Sequence, residues 1–239
     1  MKTLHPPSKD HFQQIYSGKN ITRYDQLVKF EDAENNLLRT FQQHTSLKGS
    51  RLLDVGTGTG RIARVVDEYV SQVVALDLNL PMLRIARRRS RKNGDTLWVA
   101  AADVINLPVP DAWADIAIAG WALGHFCDWF ANWENLIDDA VREMQRTIKP
   151  GGTQIIIETM GTGLPTPMPP TDSLEAYYMR LETIHGFNRK IIRTDYEFPS
   201  VETAVELVDF FFGADLAQEV RMINSATLIE WTGVWWRRV

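Results

Sequence analysis

The stretch Leu52-Leu53-Asp54-Val55-Gly56-Thr57-Gly58-Thr59-Gly60 constrains the fold more than any other segment of this chain. An apolar run that ends in three alternating glycines is typical of a buried strand that turns tightly into a helix beneath a ligand. Each glycine lacks a Cβ where the backbone needs a positive φ or where a ligand lies against it. The helix that starts near Arg61 directs free N–H groups at that ligand. The segment therefore predicts the floor of a nucleotide-type site.

The spacing of the glycines separates two classes of ligand. A dinucleotide fingerprint has the spacing G-x-G-x-x-G. Residues 56–60 instead read G-x-G-x-G, and an acid, Asp54, stands two residues before the first glycine. A diphosphate would be repelled by this carboxylate, whereas an ammonium group would not. The spacing therefore favours a nucleoside that carries a cation over a dinucleotide.

Acids also follow the next two predicted strands. The apolar run Val73–Leu76 ends in Asp77, and the run Leu97–Ala102 ends at Asp103 and Val104. A carboxylate at the end of the second strand can accept hydrogen bonds from both hydroxyls of a ribose, as it does in nicotinamide-binding folds. Asp77 taken by itself therefore supports either type of cofactor, whereas Asp103 has no counterpart in the nicotinamide pattern.

Two later segments complete the pattern. Residues 114–120 form a fourth strand-like run, and Ile148-Lys149-Pro150-Gly151-Gly152 precedes a fifth run over residues 153–158. Together with the glycine loop and the two acids, these segments resemble, in order, the motifs of class I S-adenosylmethionine (SAM)-dependent methyltransferases of the small-molecule type. The resemblance covers roughly residues 45–160.

The resemblance implies an α/β, Rossmann-like fold with a seven-stranded, mostly parallel sheet, helices on both faces and an antiparallel last strand. We expect a single methyltransferase domain over residues 1–239, in which 1–45 form an N-terminal helical arm or lid, 46–160 the SAM-binding core, and 161–239 an acceptor-side insert and the final strands. The arm is predicted to be helical from Tyr24 to Gln43. The final strands are expected within residues 191–198 and 226–236.

The resemblance also implies a cofactor site. In the family, the acid of the glycine loop lies near the amino-acid end of SAM, the acid after the second strand binds the ribose, and the acid after the third strand binds the adenine amino group. We therefore expect SAM and its product S-adenosylhomocysteine (SAH) to bind the loop, the strand ends and the aromatic side chains beside the sulfonium: Asp54, Gly56, Thr57, Gly58, Gly60, Asp77, Leu78, Met82, Asp103, Val104, Trp121, Tyr16 and Tyr24.

Two features are expected on the acceptor side. His125 follows the fourth strand, where it either accepts a proton from the acceptor, with a pH limb near 6 to 7, or only hydrogen-bonds the loop. Residues 161–171 contain four prolines and are predicted to be extended. With Tyr177 and Tyr178, this segment either walls the acceptor pocket or is a surface connector.

Composition excludes several other classes of protein. One cysteine among 239 residues rules out an internal disulfide framework and favours a reducing, cytoplasmic location. The apolar runs are shorter than the roughly 20 residues of a membrane helix, so no membrane partner is expected. A net charge of -4 makes a nucleic-acid partner improbable, and the basic cluster at residues 84–92 is interpreted as the solvated face of a helix.

Three functions stay open at this point. They are a small-molecule methyltransferase, an RNA or protein methyltransferase, and a SAM-fold protein that acts without catalysis as a regulatory or partner subunit. The region after the fourth strand lacks the Pro-Cys pair of cytosine-C5 enzymes and the Asp/Asn-Pro-Pro-Tyr/Phe loop of amino-group enzymes. A small-molecule methyltransferase is therefore the leading hypothesis, with transfer to an O, N or C atom of the acceptor. No metal is expected, and the sequence does not determine the oligomeric state.

Overall fold

The computed structural model describes residues 9–90 and 97–239 of the chain. Its main feature is a seven-stranded sheet in the order β3-β2-β1-β4-β5-β9-β6. Neighbours among β1 to β5 pair in parallel, whereas β9 runs antiparallel to both β5 and β6. The strands of this sheet are β1 Arg51–Val55, β2 Gln72–Asp77, β3 Leu97–Ala101, β4 Ala114–Gly120, β5 Ile148–Thr162, β6 Asn188–Arg193 and β9 Glu230–Arg238. The predicted fold class is confirmed.

Helices cover both faces of this sheet, which explains why its central strands are apolar on both sides. Leu53 and Ala117 point into one core cluster, and their neighbours Leu52 and Ile116 point into the other. The helices are α1 Lys9–Ile15, α2 Asn20–Leu27, α3 Asn36–His44, α4 Arg61–Val66, α5 Leu80–Ser90, α6 His125–Trp129, α7 Trp133–Thr147, α8 Asp172–Thr183, α9 Val201–Phe212 and α10 Ala214–Ile223.

The N-terminal arm differs from the single helix predicted from Tyr24 to Gln43. Helix α2 ends at Leu27 and α3 begins at Asn36, so the arm is broken in the middle. Asp32 adopts a φ of 57°, and its carboxylate accepts the backbone N–H groups of Asn36 at 2.7 Å and Leu37 at 3.0 Å. Such a cap starts a new helix, because it satisfies donors that a continuous helix would bond internally.

The break divides the apolar side chains of the arm between two cores. Leu27 and Phe30 pack in a third cluster with α9 and α10, whereas Leu37, Leu38 and Phe41 pack beneath the main sheet. The arm therefore ties the sheet to the C-terminal helices. Residues 1–8 of the predicted arm lie outside the described residues.

The C-terminal strands also differ in extent from the prediction. Residues 191–198 and 226–236 do not each form one strand, because β7 Tyr196–Glu197 and β8 Thr227–Leu228 leave the main sheet and pair with each other. Asp195 sits at the turn, where its carboxylate pairs with Arg193 and accepts the N–H of Glu230 at 3.0 Å. This local network redirects the chain between the two sheets.

The basic cluster lies where a solvated face is expected. Along α5, Met82 and Leu83 are buried, whereas Arg84, Arg87 and Arg88 are exposed. The side chain of Arg89 and residues 91–92 lie outside the described part of the chain. None of the helices in the described ranges combines the length and the apolar character that crossing a bilayer requires.

Candidate functional site

A cavity of about 750 Å³ opens at the carboxyl ends of β1 to β4. Ligands of open α/β sheets bind at this edge, because the loops that follow parallel strands meet there. Twelve of the fourteen residues predicted for the site line the cavity: Tyr16, Tyr24, Gly56, Thr57, Gly58, Asp77, Leu78, Met82, Asp103, Val104, Trp121 and His125. The remaining two, Asp54 and Gly60, lie beneath its wall.

The glycine loop forms the floor of the cavity between β1 and α4. Gly56 has a φ of 71°, and a Cβ at this position would stand 2.4 Å from the Cβ of Ala122, in the loop after β4. Gly58 has a φ of 55°, and a Cβ there would meet the Cε of Met82 at 3.2 Å. Only glycine fits both the conformation and the space at residue 56, so the loop packs directly against the loop after β4.

Asp54 lies behind the loop and holds its shape. Its Oδ2 accepts the hydroxyl of Thr57 at 2.6 Å and the N–H of Ala63 at 3.3 Å, whereas its Oδ1 is buried without a hydrogen-bond partner among the described residues. Burial raises the pKa of Asp54 to about 7. The structure thus gives Asp54 a role in the turn, and a contact with an ammonium group of the ligand stays a prediction.

Asp77 connects the end of β2 to the glycine loop. Its Oδ2 accepts the N–H of Gly58 at 2.8 Å, and its Oδ1 accepts the N–H of Asn79 at 2.7 Å. Burial raises the pKa of Asp77, and backbone hydrogen bonds from Asn79, Gly58 and Leu78 oppose that effect. A carboxylate has about four lone-pair sites, so oxygen lone pairs are left for ligand hydroxyls.

Asp103 lies on the exposed side of the cavity, after β3. Its Oδ1 accepts the N–H of Ile105 at 3.2 Å, which fixes the direction of the carboxylate. Val104 beside it is half-buried, and Leu78 is 67% exposed at the rim. This end of the cavity therefore presents two acids, Asp77 and Asp103, next to apolar side chains.

The cavity wall also carries a positive charge, Arg61, which the sequence analysis did not single out. Arg61 opens α4, and its guanidinium lies 3.2 Å from the centre of the Trp121 ring. Trp121 itself adopts a φ of 50° and is held by its N–H, which donates to the carbonyl of Ile157 at 2.7 Å. Glu31 from the arm forms a buried ion pair with Arg61. The sequence does contain a clue to Arg61: it is the first residue of the helix after the glycine loop, and the first turn of such a helix faces the ligand.

Aromatic side chains of the arm cover the cavity. The carbonyl of Tyr16 accepts a hydrogen bond from Asn79 Nδ2 at 2.8 Å, and its hydroxyl lies 3.3 Å from His125 Nε2. Tyr24 meets the Tyr16 ring edge-on, with the ring centres 5.2 Å apart. Tyr16 therefore bridges the loops after β2 and β4 across the opening.

His125 sits inside this aromatic group. Its ring stacks on Trp129 at 4.8 Å and meets Phe12 edge-on at 5.0 Å. Burial lowers the pKa of His125 to about 4, so its imidazole is neutral near pH 7. The pH limb expected near 6 to 7 from the ordinary pKa of histidine is therefore moved to lower pH in the free protein.

Tyr177 and Tyr178 do not wall the cavity. Both are buried in the core, where the hydroxyl of Tyr178 donates to the carbonyl of Thr159 at 2.8 Å. Among the described residues that line the cavity, none belongs to 161–171. The buried residues of α8 follow helical spacing, and this face is turned toward the core: Leu174, Tyr177, Tyr178 and Leu181.

Glu158, near the end of β5, holds the loop that carries His125. Its Oε1 accepts the N–H of Gly124 at 2.9 Å and the hydroxyl of Tyr177 at 3.4 Å. Burial raises the pKa of Glu158 to about 8, so this carboxyl is mostly protonated at neutral pH.

Within the described residues, His, Cys, Asp and Glu side chains nowhere gather in the groups of three that could hold a metal ion.

Comparisons with known proteins agree with this arrangement. Residues 53–156 match the family model described as a methyltransferase domain. Demethylmenaquinone methyltransferase of Thermus thermophilus is 33% identical over 110 residues, which are 45% of this chain and 46% of the relative. The ubiquinone/menaquinone biosynthesis C-methyltransferase UbiE of Neisseria gonorrhoeae is 29% identical over 155 residues, or 59% and 60%. The match thus spans between about half and three fifths of these curated relatives.

Solved structures share the fold. A SAM-dependent methyltransferase from Aquifex aeolicus superposes with a TM-score of 0.58 at 17% identity, over 92% of this chain and 97% of that one. A phosphoethanolamine N-methyltransferase from Haemonchus contortus, solved with phosphomonomethylethanolamine and SAH, gives a TM-score of 0.60 at 17% identity, over 97% and 59%. At these identities the likeness concerns the fold.

The raised pKa of Glu158 predicts how stability depends on pH. The folded protein keeps this proton up to about pH 8, whereas the ordinary pKa of a glutamate, which applies to the unfolded chain, is 4.5. The free energy of unfolding should therefore fall as pH rises through this window, by up to about 1.4 kcal/mol per pH unit from this group. Glu158→Gln should show a flatter decline between pH 5 and 8 in denaturant titrations.

Other buried carboxyls stay in place in this variant, so the comparison is between pH profiles and not between absolute stabilities. The matched control is Glu175→Gln, which changes an exposed carboxylate on α8 and should follow the wild-type profile. Parallel profiles for Glu158→Gln and wild type would show that Glu158 is ionised in the folded protein.

Proposed function

We propose that the chain is a class I SAM-dependent methyltransferase that transfers a methyl group from SAM to a small-molecule acceptor and releases SAH, a proposal supported by the match of residues 53–156 to a methyltransferase-domain family model. One observation carries the proposal. The N–H of Gly58, in the cavity floor, is bonded to the carboxylate of Asp77, and Asp103 stands at the same end of the cavity. A single nucleoside could thus lie against the backbone of the glycine loop and donate hydrogen bonds to both carboxylates.

The residues of the cavity fit SAM. The glycines at 56 and 58 give the floor a backbone surface, Asp77 has lone pairs for ribose hydroxyls, and Asp103 can accept from the adenine amino group. The ring faces of Tyr16, Tyr24 and Trp121 can attract a sulfonium, at about 0.5–2 kcal/mol for each good contact. When bound, SAM supplies an electrophilic methyl group on that sulfonium.

The protein's own task is alignment and exclusion of water. Because the acceptor attacks the methyl group in line, holding two molecules in register can lower the barrier by about 7–11 kcal/mol. Tyr16 closes the opening between Asn79 and His125, which is what a lid requires. We propose that the arm, including Tyr24, is this lid.

The lining favours an aromatic acceptor. Phe126, Trp129 and Phe130 line the cavity beside His125. Offset or edge-on ring contacts with such side chains favour a flat, apolar ligand. The relatives are named for demethylmenaquinone and for ubiquinone/menaquinone biosynthesis. We therefore propose transfer to carbon of a quinone-type ring as the first acceptor class to screen.

The alternative functions are less well supported. A non-catalytic protein would be expected to fill the site with its own side chains, yet a cavity of about 750 Å³ is open there. An RNA methyltransferase would need a basic surface beside the cavity, whereas Arg61 is the sole lysine or arginine among the described residues that line it. A small-molecule partner and a cytoplasmic location stay predictions.

Calorimetric titration tests cofactor binding. Wild type should bind SAM and SAH, and NAD should bind far more weakly. Asp77→Ala should lose more affinity for SAH than Asp103→Ala, because Asp77 also holds Gly58 and Asn79. Micromolar binding of NAD without binding of SAM would refute the assignment, and equal losses in the two variants would refute the ranking.

The lid proposal has a test of its own. Tyr16→Ala should weaken SAH binding by about tenfold, roughly 1.4 kcal/mol, without unfolding the protein. Tyr69→Ala, which removes a ring that is 41% exposed elsewhere on the surface, is the control and should bind as wild type does. If Tyr16→Ala retains wild-type affinity, the arm does not close over the cofactor.

We also propose that His125 accepts the proton of the acceptor as the methyl group arrives. General bases usually increase the rate by 10²–10⁴. A histidine with a pKa of about 4 is a weak base, so its contribution should be smaller than this. With an acceptor from a hydroquinone panel, His125→Gln should lower turnover about tenfold and leave SAH affinity intact.

The pH profile of turnover gives a second reading of His125. Because a base must be deprotonated, its activity should be lost only as pH falls toward about 4, and the wild-type rate should show no limb from this group between pH 6 and 8. Unchanged turnover in His125→Gln would mean that the imidazole has only a structural role, its contact with the Tyr16 hydroxyl.

A further inference from the structure

Glu158 on β5 holds the turn that leads from β4 into α6. Its Oε1 accepts the N–H of Gly124 at 2.9 Å, and the N–H of Leu123 also bonds to this carboxyl. Gly124 is the N-cap residue of α6 and has no side chain with which to hold the turn itself. A carboxyl from a remote strand therefore fixes the two peptide groups that precede His125.

The carboxyl and the turn approach each other closely. The Glu158 side chain is buried, and a Cβ at residue 124 would stand 2.9 Å from its Oε2 and 3.1 Å from Cδ2 of Leu174. Gly124 has an ordinary helical φ of -56°, so the backbone conformation does not require glycine here. The missing side chain is instead what lets the carboxyl reach the N–H group.

The sheet gives Glu158 a rigid base. Strand β5 lies between β4 and β9, and Glu158 itself stands opposite Gly233 of β9. The hydroxyl of Tyr177, from α8, donates to the same Oε1 at 3.4 Å. Because burial raises the pKa of this carboxyl to about 8, Glu158 holds its partners mostly without a charge at neutral pH.

His125 directly follows the peptide groups that Glu158 holds. Its ring stacks on Trp129 at 4.8 Å, and its Nε2 lies 3.3 Å from the hydroxyl of Tyr16. The ring can keep these contacts only while the backbone before it stays in place. Burial is the cause of the low pKa of His125, about 4, so this pKa reports whether the imidazole remains enclosed.

We infer that Glu158 is a positioning residue for methyl transfer, which fixes the His125 imidazole in the cavity through the N–H groups of Leu123 and Gly124. This inference rests on the proposed function and deepens it, because it assigns a part in the reaction to a described residue that does not line the cavity. Glu158 acts only through the turn, so the effect of its removal on turnover should pass through His125.

An NMR titration of the histidine rings tests this contact without an acceptor. Wild type should show an imidazole with a pKa of about 4, which is assigned by its loss in His125→Gln. Glu158→Leu removes the acceptor of both N–H groups, so this pKa should rise to about 5 or higher, toward the ordinary value of 6.5. Since Glu158 is uncharged over this range of pH, its removal does not itself change the local charge.

Three further variants separate this effect from a general loss of structure. Glu158→Gln resembles the neutral carboxyl and keeps an oxygen acceptor, so the pKa of His125 should stay near its wild-type value. Gly124→Ala crowds the same contact from the side of the turn, so it should act like Glu158→Leu and decides the question if that variant does not fold. Glu175→Leu makes the same exchange at an exposed residue of α8 and should behave as wild type does.

Turnover gives a second test, with an acceptor from the hydroquinone panel. His125→Gln and Glu158→Leu should each lower turnover about tenfold, and the double variant should also lose about tenfold, because the two changes remove one effect. The affinity for SAH should stay within about threefold of wild type in all three variants. A loss of about 100-fold in the double variant would show that the two residues act independently, and it would overturn the inference.

The titration has clear contrary outcomes. A folded Glu158→Leu or Gly124→Ala protein in which His125 keeps its low pKa overturns the inference while the proposed function stands. A wild-type imidazole of His125 that titrates near 6.5 does the same, because the ring would then not be enclosed. A wild-type protein that binds no SAH and methylates no acceptor overturns the proposed function and the inference together.

Discussion

The close packing of the glycine loop against the loop after β4 is the contact on which the site depends. Gly56 approaches Ala122 so closely that a Cβ would stand 2.4 Å from the next side chain, and Gly58 donates to Asp77 at 2.8 Å. These contacts bring the ends of β1, β2 and β4 to one surface. Asp54, buried beneath, holds the turn through Thr57. The backbone forms much of this floor, because residues 56 and 58 are glycines.

Much of this arrangement could be predicted from the sequence, because it is local. The glycine loop, the strand ends at Asp77 and Asp103, and the run of β4 are set by short-range chemistry, namely backbone conformation, β-branched residues and strand length. The alternation of side chains along a strand is local in the same way: Trp235 packs in one core cluster, and its neighbour Trp236 packs against the other.

Features that depend on distant partners could not be predicted. The cap at Asp32 is local, but the N–H of Asp32 also donates to the carbonyl of Thr194 at 3.3 Å, and the turn at Asp195 depends on Glu230, and no local pattern reveals these two distant contacts. Arg61 was missed because its role comes from Glu31 and Trp121, which are remote in sequence. The two alternatives for residues 161–171 with Tyr177, a wall of the acceptor pocket or a surface connector, stayed open because the packing of α8 on the sheet decides where Tyr177 lies.

The most direct measurement is calorimetric titration of SAH into Gly56→Ala and Gly49→Ala. Both glycines have a positive φ, 71° and 74°, so alanine should strain the backbone similarly at either position. Only at residue 56 would the new Cβ meet another residue, since nothing lies within 4 Å at residue 49. The account predicts a loss of SAH affinity of about 100-fold or more for folded Gly56→Ala, and wild-type affinity for Gly49→Ala. Wild-type affinity in Gly56→Ala would contradict it.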